Sequence, residues 1–103
     1  MSLDLTIPRD DGTPGESVPV GVDQHGRLMA IAMQMQLEIL ARLADYYEDA
    51  EFAPNELAAL GQACARIYEE CREDPEIATL AARIGRLAKL ANDSRCAVWA
   101  IAD

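Results

Sequence analysis

Asp23-Gln24-His25-Gly26-Arg27-Leu28-Met29-Ala30-Ile31-Ala32-Met33-Gln34-Met35-Gln36-Leu37-Glu38-Ile39-Leu40-Ala41-Arg42-Leu43-Ala44-Asp45-Tyr46-Tyr47-Glu48-Asp49 contains no proline and, after Gly26, no glycine. It reads as one long helix with Asp23 as its N-cap, because a side-chain oxygen there can take one of the unpaired first-turn N–H groups. Arg27, Gln34, Glu38, Arg42, Asp45 and Asp49 fall along a single stripe at spacings of three, four and seven, and Glu38 with Arg42 makes a favourable i,i+4 pair. Leucine, isoleucine and methionine occupy much of the remaining circumference. A helix packed on one side only needs a narrower apolar face. This one is therefore expected at the centre of a bundle, or covered in part by a second copy through Met29, Met33 and Met35.

Working outward, Pro54 marks a second helix at the first-turn position where its missing N–H costs nothing, followed by Glu56. Leu57, Leu60, Cys64, Ile67, Tyr68 and Cys71 give it an apolar stripe to about Arg72. Asp74-Pro75-Glu76 repeats the start signal for a third helix carrying Ile77, Leu80, Ala81, Ile84, Leu87, Ala88 and Ala91. Gly61 and Gly85 interrupt these helices at a cost of up to about 1 kcal/mol each relative to alanine. The seam of Ala78, Ala81, Gly85 and Ala88 suggests close helix approach in return. After Asn92-Asp93-Ser94, residues 95–102 form a short fourth helix or a docked extended segment, with helix preferred.

Residues 1–22 hold Pro8, Pro14 and Pro19 with Gly12, Gly15 and Gly21. They read as a flexible or extended arm, and the alternation of Leu3, Leu5 and Ile7 leaves open a short strand. The expected architecture is thus all-α: an up-down bundle of three main helices plus a short C-terminal element over residues 23–103, preceded by the arm.

At 103 residues the chain suits one domain. Five aromatics against eighteen alanines imply an Ala/Leu/Ile core with little room for a cofactor cavity, and no cofactor is expected. The first eight residues lack the basic and apolar regions of a secretory signal. The longest apolar run, Cys96–Ala102, is seven residues, too short to span a bilayer. Three cysteines, with Cys64 and Cys71 about 10 Å apart along one helix, read as free thiols in a reducing cytoplasm. His25, the one histidine, is expected to face solvent at the start of the first helix. No metal constellation, phosphate loop or nucleophile elbow appears, so a non-enzymatic role is expected.

Net charge is −9, which disfavours nucleic acid and anionic membrane as partners. Its distribution carries more information. Residues 1–44 carry −3, residues 45–76 carry −8 and residues 77–103 carry +2. Asp45, Glu48 and Asp49 would lie in the last turns of the first helix, where the dipole disfavours acids. That placement makes sense opposite a cationic partner. Tyr46 and Tyr47 sit among them and their rings diverge on a helix by about 100°, so one at least reaches the edge of the core. Tyrosine set in charge is the composition of a binding hot spot.

Asp45, Tyr46, Tyr47, Glu48, Asp49, Glu51 and Glu56 are therefore the expected contact residues for a basic partner protein. Over the five residues Asp45–Asp49, and in general charge habit, the chain resembles the small helical immunity proteins of nuclease colicins. That resemblance implies a toxin-neutralising, immunity or antitoxin-like inhibitor. The competing expectation is a structural homo-oligomer or complex subunit using the apolar face of the first helix.

Overall fold

The computed structural model describes residues 2–102. Their order is β1 (Leu3–Pro8), β2 (Pro14–Val20), α1 (Val22–Gln34), a 3-10 segment (Glu38–Leu43), β3 (Ala50–Phe52), a short 3-10 turn (Pro54–Glu56), α2 (Leu57–Glu70), α3 (Pro75–Asp93) and β4 (Val98–Ala102). The four strands make one antiparallel sheet in the order β2-β1-β4-β3. The protein is α+β, and the expectation of an all-α bundle is wrong.

The error lies at the two chain ends. Leu3, Leu5 and Ile7 alternate as strand residues do, and their stretch pairs with β2 in a hairpin and with β4 at the other edge, Leu3 opposite both Val20 and Ala102. The stretch 1–22, expected as an arm, instead supplies Leu3, Leu5, Val18 and Val20 to the core. The tail leans the same way: Val98 and Ala100 are buried while Trp99 and Ile101 are exposed, so it is a strand. A short apolar run carries no decisive period of its own. Pairing to a strand almost the whole chain away settled it.

Two glycines shape the hairpin. Gly12 takes φ of 84° in the turn that Arg9 and Thr13 close with a 2.8 Å bond from Arg9 N–H. Asp11 Oδ1 accepts both the N–H and the hydroxyl of Thr13, which holds the Asp11 carboxyl below its ordinary range. At Gly15 a Cβ would stand 2.5 Å from the Ile7 carbonyl oxygen, closer than any side chain tolerates.

The expected single helix over 23–49 is also corrected. Gly21 precedes α1, its N–H held by Gln24 Oε1 at 3.0 Å, and Asp23 lies in the first turn instead of capping it. The helix ends at Gln34. Gln36 takes φ of 58°, its N–H bonds the Met33 carbonyl at 3.2 Å and Leu37 N–H bonds that of Ala32 at 2.9 Å. This is a Schellman stop with glutamine where glycine is usual. α3 ends the same way on Arg95 (φ 57°), with Arg95 N–H to Asn92 at 3.1 Å and Cys96 N–H to Ala91 at 2.8 Å. Neither left-handed position is marked by a glycine, so pattern alone runs straight through the first of them.

α2 and α3 follow their expected signals. Pro54–Glu56 leads into α2, with Ala53 N–H held by Glu56 Oε1 at 2.9 Å. Asp74 caps α3 through Ile77 N–H, with Pro75 at its first turn. The two helices pack against each other, and α3 also lies on β1, β2 and β4 through one continuous buried cluster. A Cβ on Gly85 would be 3.4 Å from that of Cys64, so this glycine sets the closeness of the helix pair; around Gly61 there is open space.

Candidate protein-binding site

The seven expected contact residues divide sharply once folded. Asp45 to Asp49 are not the end of a helix but the irregular link between the 3-10 segment and β3. Three aromatic rings order that link. His25, on α1, is buried (8% exposed) instead of facing solvent. Its Nε2 lies 2.6 Å from the Leu43 carbonyl. A carbonyl only accepts, so this nitrogen carries the proton. The His25 ring lies against that of Tyr46 at 4.9 Å, and Tyr46 in turn meets Tyr47 edge-on at 5.4 Å. Tyr46 is 7% exposed and its hydroxyl donates to the Val20 carbonyl at 3.2 Å, tying the link to the end of β2. Tyr47 is 67% exposed. The three rings therefore run from core to solvent, and the outermost ring is carried by two buried ones.

The backbone around Tyr47 is fixed as well. Asp45 Oδ1 accepts Tyr47 N–H at 2.9 Å, and Glu48 N–H bonds the Asp45 carbonyl at 3.3 Å. Asp49 Oδ1 accepts Ala102 N–H at 2.7 Å, joining the link to β4. Glu48 is exposed in the turn and Glu51 on β3. Among the described residues no Lys, Arg or His forms an ion pair with Asp45, Glu48, Asp49 or Glu51.

Glu56 does not belong with them. Arg42 grips it with both terminal guanidinium nitrogens at 2.6 Å, also bonds the Glu51 carbonyl at 3.0 Å and lies over the Phe52 ring at 5.2 Å. The Arg42 hydrogen bonds, with the Ala53 N–H, hold the Glu56 carboxyl at about 2. Arg42 was expected to pair with Glu38. It instead staples the 3-10 segment to the turn before α2, and Glu56 is a structural carboxylate.

Two residues that matter here carried faint sequence signals. His25 looks like an ordinary helix-start residue until Leu43 and Tyr46 fold over it. Trp99 stands two residues from Ile101 in the C-terminal apolar run, and only strand alternation, once recognised, shows both facing away from the helices.

Other chemistry is constrained. Burial raises the Cys64 thiol to about 12, and burial followed by Asp74, Glu70 and Glu73 raises that of Cys71. Among the described residues no group of three His, Cys, Asp or Glu side chains is gathered to hold a metal, and no helix is long and apolar enough to cross a membrane. No protein-family model, curated protein or solved structure shows a significant match to this chain.

Proposed function

We propose that the protein is a non-enzymatic binding module of the cytoplasm, a toxin-neutralising inhibitor of immunity or antitoxin type that engages a basic partner protein through Asp45, Tyr47, Glu48 and Glu51. One observation carries this reading: Tyr47 stands in solvent on a buried aromatic base, among carboxylates that have no cation within the described fold. An aromatic anchor held rigid before binding loses little entropy on contact, and unpaired acids around it steer a cationic surface toward it. The raised thiol of Cys64 argues against that cysteine as a nucleophile, since the thiolate scarcely forms near neutral pH.

The test uses the product of the reading frame immediately upstream as the candidate partner. Glu48→Lys with Glu51→Lys should weaken the complex at least about tenfold and flatten its salt dependence. Unchanged binding in that double variant rejects the site. Asp45 and Asp49 are the wrong residues to reverse, because their carboxylates hold the Tyr47 and Ala102 N–H groups.

A second reading, a homo-oligomer or complex subunit built on α1, has one observation in its favour. Exposed Met33 lines a groove of about 480 Å³ with Met29, Leu37, Ala41 and Ala44. Sedimentation across a wide concentration range decides it, and a strict monomer ends the obligate-dimer form.

A further inference from the structure

The helices cover one face of the sheet, against Leu3, Leu5, Val18, Val20, Phe52, Val98 and Ala100. Among the described residues no helix lies on the other face. Its apolar centre is on β4, where Trp99 is 37% and Ile101 39% exposed, one strand period apart on the same side. Each has a carboxylate as its direct cross-strand neighbour: Glu51 lies opposite Trp99 and Asp4 opposite Ile101. Asp49 reaches the same strand through Ala102 N–H. Thr6, the other cross-strand neighbour of Trp99, is buried with its hydroxyl on the Glu16 carbonyl, so Ser17 and Pro19 are the exposed outward positions on β2, and among the described residues no outward position of the paired strands holds a Lys, Arg or His.

We infer that this open face is a second docking surface, continuous with the Tyr47 link through Glu51, for an extended segment of a basic protein with arginine or lysine seated over Trp99. This rests on the binding reading above and enlarges its footprint. The charge pattern selects the occupant. A second copy placed face to face would bring Glu51, Asp4 and Asp49 against their own kind, which is repulsive, whereas a cation over the indole gains from the ring and from Glu51 together. The edge geometry agrees: β3 has three residues and β2 carries Pro14 and Pro19, so neither outer edge offers a long ladder, and the face rather than the edge is the surface on offer.

Trp99 is the only tryptophan, so its emission reports this face directly. The probe is a short amidated peptide alternating arginine and leucine, with the glutamate–leucine peptide as control, titrated at low ionic strength. The expected result is a saturable emission shift with the arginine peptide alone, with Glu51→Gln and Trp99→Thr each weakening binding roughly three- to tenfold by calorimetry. Glu51 is exposed and its substitution leaves the fold intact, which covers the case of an unstable Trp99→Thr chain.

If Glu48→Lys and Tyr47→Ala weaken binding while Glu51→Gln and Trp99→Thr do not, the sheet face is rejected and the link survives as the site. The reverse pattern keeps the face and rejects the link. Absence of binding by the arginine peptide overturns the inference, as does a dimer in sedimentation that Trp99→Thr dissolves.

Discussion

The two acid-rich regions flanking α2 have similar composition and opposite fates. Behind α2, three of the five acids, Glu69, Asp74 and Glu76, are paired by arginines, while Glu70 and Glu73 stay exposed. Arg27 on α1 pairs with Asp74 and, at 2.6 Å, with Glu76, while Asp74 also caps α3 and Glu69 meets Arg72 at 3.3 Å. Arg27 holds the Asp74 carboxyl below its usual range. Ahead of α2, among the described residues, only Glu56 finds a cation. Asp45, Glu48, Asp49 and Glu51 spend themselves on backbone N–H groups or face solvent, next to an exposed tyrosine. Counting charge over residues 45–76 merges a structural cluster with a candidate binding surface. What separates them is whether an arginine from elsewhere in the chain arrives.

That contrast is broken most severely at Tyr46, whose buried ring holds up the link. Tyr46→Ala should cost roughly 3–5 kcal/mol in urea unfolding, and Tyr46→Phe only about 1 kcal/mol for the lost hydrogen bond. Equal losses would show that the ring is not the support. Tyr47→Ala sharpens the contrast from outside: stability should stay within about 0.5 kcal/mol, while affinity for the proposed basic partner falls at least about tenfold. A large loss of stability would make Tyr47 a packing residue.

A smaller effect is expected at the stop before the link. Gln36→Gly relieves a left-handed glutamine and should raise stability by about 1 kcal/mol, read as a higher denaturation midpoint. Unchanged or lower stability would mean that the glutamine side chain itself contributes there.

The finest test reads the Glu56–Arg42 pair by pH. Glu56 is depressed from 4.5 to about 2 in the folded chain, so the unfolded chain binds its proton first as pH falls. Its stabilising share is complete above about 4.5 and disappears as pH drops through about 2. Glu56→Gln should therefore flatten the acid limb of a stability–pH curve in that window. A curve unchanged by that substitution would show that the Arg42 pair does not depress the Glu56 carboxyl.

Much of the helical half was readable from local chemistry. Pro54, the Asp74-Pro75-Glu76 start and the apolar stripes of α2 and α3 act within a turn or two, so their meaning does not depend on the rest of the chain. The seam at Gly85 was readable for the same reason, since small residues at helical spacing admit close approach. The candidate site was legible as a neighbourhood, Asp45 to Glu51, but not in its internal division. Nothing in Asp45-Tyr46-Tyr47-Glu48-Asp49 says which ring goes inward, because that was decided by His25, Val20 and the helix stop at Gln36.

The sequence by itself determined where α2 and α3 begin, where the charge concentrates and that tyrosines lie within it, since capping, periodicity and composition are local properties. Tertiary structure alone decided that the chain ends join as the central strands of a sheet, that Arg27 and Arg42 neutralise Asp74, Glu76 and Glu56, and that Tyr47 and Trp99 face outward. Strand pairing and ion pairing join residues far apart in sequence. Their free energy exists only after the chain has closed those loops, so no local pattern contains it.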